Sequence, residues 1–208
     1  MKNIRIVILA KVPNAGFSKS RLIPLLGAEG AHALALRLLK HTVTEAVRAR
    51  VGTVELCLTP DNAMLGSLKI PPTVRCSSQG SGDLGDRMAR IGARVVSTGE
   101  AVILIGTDCP ALDAGRLRQV AESLTLADTV LVPAVDGGYV ALGLNRFDPL
   151  LFSDMAWSTD SVAFTTLCRV GQLGWTVHLL PMLHDIDRPD DLKWLPAQWT
   201  EFRPGIPA

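Results

Sequence analysis

Several stretches of this sequence gather side chains that handle phosphate and divalent-metal chemistry. The first is Lys11-Val12-Pro13-Asn14-Ala15-Gly16-Phe17-Ser18-Lys19-Ser20-Arg21, which sets three cations on a Gly/Pro loop. A lysine is a point charge and an arginine a planar fork of donors, so Lys11, Lys19 and Arg21 together suit the two phosphates of a pyrophosphate. A solvated surface loop has the same composition, so the stretch acquires meaning only beside the others. Two familiar phosphate motifs are excluded. Lys19-Ser20 lacks the preceding glycine of a P-loop, and Gly16 alone is no G-x-G-x-x-G fingerprint.

The second stretch is Gly106-Thr107-Asp108-Cys109-Pro110, a carboxylate just after an apolar run. In open α/β sheets ligands bind beyond the carboxyl ends of strands. Asp108 is therefore placed as a metal ligand, the competing role being a cap or turn before the helix near Asp113. One or two carboxylates are the usual protein share of a Mg²⁺ site, phosphates and water supplying the rest. The third stretch, His184-Asp185-Ile186-Asp187-Arg188-Pro189, reads as the end of a strand followed by a short helix. There Asp187 is expected as N-cap, with Pro189 in the first turn.

Two glycine-rich turns complete the set. Gln79 to Arg87, with Gly80, Gly82 and Gly85 around Asp83, leads into a helix whose first amides can hold an anion, and Arg87 lies one turn in. Asp136-Gly137-Gly138-Tyr139 lets a substrate approach the main chain and offers Asp136 as the group that orients or deprotonates an acceptor hydroxyl. Trp157-Ser158-Thr159 is placed beside the same acceptor, although an isolated tryptophan serves equally as a core residue.

These residues need a scaffold, and the apolar pattern predicts one. Strands are expected over 4–10, 54–59, 74–77, 101–106, 129–134, 139–144 and 176–180. Helices are expected over 28–50, 83–96, 114–126 and after Ser158. Such alternation argues for a three-layer α/β/α sandwich with a mainly parallel sheet. The link from Ala134 to Tyr139 is too short for a crossover, so those two strands are expected to be antiparallel, making the sheet mixed. Residues 1–195 read as a single nucleotide-binding domain and 196–208 as a loosely held, Pro-rich tail.

The 208 residues carry 21 basic and 20 acidic side chains, too even a balance to hold a nucleic acid through its phosphates. Cys57, Cys76, Cys109 and Cys168 are widely spaced, with no C-x-x-C pair, as expected of reduced thiols in a cytoplasmic protein. The run from Ile4 to Ala10 is interrupted by Arg5 and has no small-residue cleavage site after it, and no other segment is expected to reach membrane-spanning length.

In order, Ala10-Lys11-Val12-Pro13 with Gly16, Lys19 and Arg21-Leu22, Gly82-Asp83-Leu84-Gly85 with Arg87-Met88, Gly106-Thr107-Asp108-Cys109-Pro110, Asp136-Gly137-Gly138-Tyr139, Trp157-Ser158-Thr159 and Asp185-Ile186-Asp187 resemble the bacterial DUF2064 family. The likeness runs over about residues 4 to 192. It implies a nucleotide-diphospho-sugar transferase fold of GT-A type and a glycosyltransferase acting on a nucleotide-sugar donor and a small-molecule acceptor. A wider similarity to the 2-phospholactate guanylyltransferases, through the Lys-Pro opening, Lys19-Ser20-Arg21-Leu22, Asp108 and Asp136-Gly137-Gly138, implies the alternative of nucleotidyl transfer with release of pyrophosphate. In cytidylyltransferases of this fold an aspartate in a D-x-P-x-D-L context joins the mid-chain aspartate on Mg²⁺. Asp187 matches it, so the resemblance implies Asp108 and Asp187 as ligands of Mg²⁺ or Mn²⁺.

On this reading Lys11, Pro13, Gly16, Lys19, Arg21, Gly82, Asp83 and Arg87 contact the nucleotide, and Gly137, Gly138, Trp157, Ser158 and Thr159 the acceptor. Asp108, Asp136 and Lys19 carry the chemistry. The sequence departs from the pattern in two places: Thr107-Asp108-Cys109 lacks the second acid of the usual D-x-D, and the glycine-rich opening loop of sugar nucleotidyltransferases is absent. A non-catalytic nucleotide-binding module is the third reading of the same residues.

Overall fold

A computed structural model describes residues 2–13, 16, 18–60 and 69–203. Its centre is a seven-stranded sheet of order β3-β2-β1-β4-β6-β5-β7. The strands are β1 (Ile4–Lys11), β2 (Thr53–Thr59), β3 (Val74–Ser78), β4 (Ala101–Ile105), β5 (Thr129–Pro133), β6 (Tyr139–Leu144) and β7 (Val177–Leu179). Only β6 runs against its neighbours, pairing antiparallel with β4 and β5, as the short link from Ala134 to Tyr139 requires.

The inner strands are apolar at every position because both sheet faces are covered, and alternate side chains serve opposite layers. Ile6, Ile8, Ile103, Ile105, Val130 and Val132 pack with α1 (Ile23–Ala49) and α3 (Ala114–Ser123). Val7, Val102, Leu104 and Leu131 point the other way, against α2 (Leu84–Ser97) and α4 (Val162–Gln172). The result is the expected three-layer α/β/α sandwich.

The first helix begins earlier than expected, at Ile23, because Gly27 takes φ 72° and lets an opening turn continue across a kink. With the 3₁₀ turn before it, residues 20–49 reach a mean hydropathy of 1.4 over an 18-residue window, long and apolar enough by composition to cross a membrane. The expectation that no segment reaches that length is therefore corrected. In this fold Leu34, Leu38, Leu39, Val43 and Ala46 of that helix are buried, as on the inward stripe of a helix packed in a core.

The tail is a second correction. Trp199 and Phe202 are buried with Leu22, Leu34, Leu38, Ile186 and Leu195 in a separate cluster at the opening of α1. Trp199 meets His41 edge to face, and the Arg37 guanidinium lies over its ring. Residues 196–203 are thus held by aromatic burial that a Pro-rich composition conceals; 204–208 lie outside the described residues.

An ion cluster fastens β2 to its surroundings. Glu55, 3% exposed, accepts from Arg94 Nη2 at 2.5 Å, Ser77 Oγ at 2.5 Å and Arg5 Nη1 at 3.3 Å, and Arg5 also pairs with Glu100.

Candidate active site

Because β1, β2, β3 and β4 are parallel, the loops leaving them open on one edge of the sheet. Antiparallel β6 brings the turn that precedes it, residues 134–138, to the same edge. The segment after β7 joins them through the Ile186 amide, which donates to the Asp108 carbonyl at 2.8 Å. All the stretches singled out by their chemistry therefore reach one edge.

A cavity of about 600 Å³ opens there, lined by the cations Lys11, Lys19, Arg21 and Arg87 and by the carboxylates Asp108, Asp136 and Asp187. Pro13 and Ser158 also line it. At its centre the Lys19 ammonium stands 2.7 Å from Asp108 Oδ1 and 2.8 Å from Asp187 Oδ1, and also donates to the Ile186 carbonyl. Burial alone would lower the pKa of this lysine. The two carboxylates outweigh that and hold it above its ordinary value, so Lys19 is a fixed cation. Its backbone is left-handed (φ 49°), as is that of Ser158 (φ 65°) across the cavity. Non-glycine residues adopt that conformation sparingly, and such positions cluster at functional sites.

Asp185 enters the group from the same segment. Burial, reinforced by the charges of Asp136, Asp187 and Asp108, pushes its carboxyl up to about 6. Asp185 thus feels the charges of three other aspartates, two of which, Asp108 and Asp187, hold the Lys19 ammonium.

Among the described residues no three His, Cys, Asp or Glu side chains converge closely enough to ligate one ion by themselves. Asp108 and Asp187 nonetheless fit the expected hard-metal role. Each has a second oxygen beyond the one facing Lys19, and their side chains are 48% and 38% exposed toward the cavity. Two oxygen donors leave the remaining positions to phosphate and water, the arrangement Mg²⁺ commonly takes. Cys109, next to Asp108, is not a candidate nucleophile: burial pushes its thiol up to about 11.

The structure separates helix caps from site residues. Asp113, not Asp108, caps α3, accepting from the Arg116 amide at 2.8 Å. Arg188 rather than Asp187 is the N-cap of the 3₁₀ turn Pro189–Trp194, correcting that expectation. The amides of Asp187 and Arg188 both donate to Asp191, and the Asp187 carboxylate faces Lys19. Asp83, expected at the nucleotide, instead caps α2 in a reciprocal capping box with Asp86. Gly82 packs on Asp86 and gives its carbonyl to Arg87 Nε at 2.9 Å, which fixes Arg87 at the cavity wall. Gly16 is exposed and does not line the cavity, and Asn14, Ala15 and Phe17 lie outside the described residues.

A residue not singled out beforehand is Gln79, 3% exposed, whose amide nitrogen donates to the carbonyls of Ala10 at 3.1 Å and Cys57 at 2.8 Å. It ties β1 to β2 beneath the cavity it lines. Its only mark in the sequence is an amide at the end of a strand.

A second cavity, of about 270 Å³, adjoins the first. Gly138, Tyr139, Trp157, Ser158 and Thr159 line it, and Asp136, Ser158, Leu84, Leu9 and Gly106 belong to both cavities. Gly137 serves the architecture instead. At φ 91° it presses against the Asp160 backbone, where a Cβ would come within 2.1 Å of the carbonyl oxygen, and its own carbonyl accepts from Ala163 at the start of α4. Asp136 Oδ1 accepts from the Gly138 amide at 2.9 Å, which orients the carboxylate at the junction.

The family model described as an uncharacterized protein conserved in bacteria, DUF2064, matches residues 42–159, more than half of the chain. The protein belongs to the DUF2064 family. The matched span includes Asp108, Asp136 and Trp157, whereas the cation loop and Asp187 lie outside it and are joined to it by the geometry around Lys19.

Among solved structures, this DUF2064 protein is similar to one from Desulfovibrio desulfuricans G20 proposed to be a nucleotide-diphospho-sugar transferase. They share 25% identity with a TM-score of 0.87, over 95% of this chain and 88% of the other. A cytidylyltransferase from Leptospira borgpetersenii is 13% identical, with a TM-score of 0.61, over 92% and 84%. Rv0371c of Mycobacterium tuberculosis, crystallised in complex with manganese, is 18% identical, with a TM-score of 0.52, over 94% and 98%. The last two show the fold alone. No match among proteins of curated function is significant. The fold of this DUF2064 protein is that of the nucleotide-diphospho-sugar transferases.

Proposed function

We propose that the protein is a metal-dependent glycosyltransferase that moves a sugar from a nucleotide-diphospho-sugar to a hydroxyl of a small acceptor. The observation that carries this reading is the position of Asp136 at the junction of a cavity that four cations line and a second, adjoining one. The first suits a donor diphosphate, the second an acceptor, and a carboxylate stands where the two would meet. The likeness to the Desulfovibrio protein supports the donor class.

In this reading Lys11, Arg21 and Arg87 hold the diphosphate, and Lys19 keeps the facing aspartates neutralised while offering its charge to the phosphates. Asp108 and Asp187 would hold Mg²⁺ or Mn²⁺, the manganese complex of a same-fold protein being consistent with that choice. A bound ion supplies stabilisation of the negative charge that develops on the leaving diphosphate. Asp136 takes the acceptor hydroxyl proton as that oxygen bonds to the anomeric carbon. The bond from that carbon to the diphosphate breaks, and its electron pair leaves with the nucleoside diphosphate.

The test is thermal unfolding against nucleoside di- and triphosphates and nucleotide sugars, each with and without Mg²⁺ or Mn²⁺, followed by product analysis. A ligand at about a hundred times its dissociation constant adds roughly 2.7 kcal/mol of stability. The expected result is a metal-dependent shift with one nucleotide sugar and release of a nucleoside diphosphate. Pyrophosphate release from a triphosphate would move the assignment to nucleotidyl transfer. Stoichiometric binding without turnover on any acceptor would make the protein a nucleotide-binding module.

A further inference from the structure

The second cavity differs in chemistry from the first. Its wall is formed largely by Met88, Leu104, Val140, Trp157 and Val162, and among the described residues that line it the only charged side chain is Asp136. Lys11, Lys19, Arg21 and Arg87 all line the first cavity and not this one. Desolvation holds the Tyr139 phenol above its ordinary pKa, so that group is neutral as well. Leu84 stands at the junction with 44% of its surface exposed, an apolar side chain presented where the two cavities meet.

The other polar side chains on its lining include the hydroxyls of Ser158 and Thr159. Asp136 accepts hydrogen bonds, and the Trp157 indole Nε1 is a buried donor without a hydrogen-bond partner. That nitrogen is packed against Gly85, away from the cavity lining, which leaves Asp136 as the charged acceptor a ligand hydroxyl would meet.

We propose that this cavity takes an uncharged acceptor with a small apolar body, such as an aromatic or alicyclic alcohol, whose hydroxyl donates to Asp136, and that it rejects phosphorylated or carboxylated acceptors. The assignment rests on the glycosyl-transfer reading for the role of the hydroxyl and on the cavity itself for the chemistry of the body. An anionic group placed here meets a carboxylate and no cation, and loses its hydration without compensation. An apolar body gains from leaving water, in a volume of about 270 Å³ that lies just below the ~300–1,000 Å³ typical of drug-sized ligand pockets.

Amide chemical shifts of the isotopically labelled protein test this with two probes of similar size, benzyl alcohol and glycerol 3-phosphate. Benzyl alcohol is expected to move the amides of Gly138, Thr159 and Val162, whereas glycerol 3-phosphate leaves them in place and moves, if any, those near Lys11 and Arg21. Thr159→Lys, at an exposed position on the cavity wall, is expected to raise the benzyl alcohol Kd at least fivefold, with the amide spectrum away from the cavity unchanged as the control for folding. Movement of Gly138, Thr159 and Val162 by glycerol 3-phosphate overturns the proposal, and so does their indifference to benzyl alcohol. Nucleotide-induced stabilisation reports the donor reading separately. If it is absent while benzyl alcohol still moves these amides, the donor assignment falls and the chemistry of the cavity stands.

Discussion

Lys19 Nζ lies 2.7 Å from Asp108 Oδ1, so the loop after β1 is tied to the loop after its neighbour, the central strand β4, by a nearly buried ammonium. The same ammonium reaches Asp187 at 2.8 Å and brings the C-terminal segment to the same point. Removing this cation leaves several aspartates facing one another. Lys19→Met is expected to reduce turnover by roughly a hundredfold or more, in line with the ~2–4 kcal/mol carried by one charged contact at a reacting centre. It is also expected to lower the Tm. Retention of wild-type turnover would remove Lys19 from the machinery.

Asp108→Asn and Asp187→Asn keep the shape of each side chain and discard its charge. Each is expected to abolish the metal-dependent part of nucleotide stabilisation while leaving a metal-independent part carried by Lys11, Arg21 and Arg87. Paired thermal scans with and without Mn²⁺ measure the difference. An undiminished metal effect in both variants would place the ion elsewhere.

Acid stability is expected to depend on Glu55. Burial would raise its pKa, but Arg94, Ser77 and Arg5 outweigh burial and hold the carboxyl below its ordinary value of 4.5. A group depressed in the folded state binds fewer protons there than in the unfolded chain. Its contribution is full above the unfolded value and is lost as pH falls through the lower folded value. Urea midpoints measured from pH 7 downward should fall below about pH 4.5. Glu55→Gln should flatten that fall and cost about 1–3 kcal/mol at neutral pH.

The packed tail makes its own prediction. Trp199→Ala is expected to destabilise the protein by about 3–5 kcal/mol, the usual cost of emptying a buried tryptophan site. A loosely held tail would show no change in denaturant midpoint.

Gly85 sits against Trp157, which lines the second cavity. A Cβ there would come within 2.7 Å of Trp157 Nε1 and 2.9 Å of the Phe152 carbonyl. Gly85→Ala is therefore expected to cost about 1–3 kcal/mol by overpacking and to shift the indole resonance of Trp157. An unmoved resonance at wild-type stability would mean that the helix start yields without disturbing the cavity.

The sequence by itself determined the layers of this fold and which loops carry chemistry. Runs such as Ile4 to Ala10, apolar at nearly every position, can only be strands covered on both faces, and the brief step from Ala134 to Tyr139 forces one antiparallel strand. Both are local properties, so they survive without knowledge of contacts. Lys19, Asp108, Asp136 and Asp187 stood out for the same reason, as ionic side chains beside strand ends.

What only the tertiary structure decided is how those groups are used. Asp83 and Asp187 both precede a helix in sequence, yet Asp83 caps α2 while Asp187 turns to Lys19, the 3₁₀ turn that follows it starting one residue later with Arg188 as its N-cap. The role of Gln79 depends on the carbonyls of two other strands, and the burial of Trp199 on a helix far back in the chain. The division of the site into a charged and an apolar cavity arises from side chains of β4, β6, α2 and α4 that meet only on folding. Spacing along a chain encodes which face a residue takes within its own element; which partner it meets across elements is fixed by packing, and a residue's partner determines what it does.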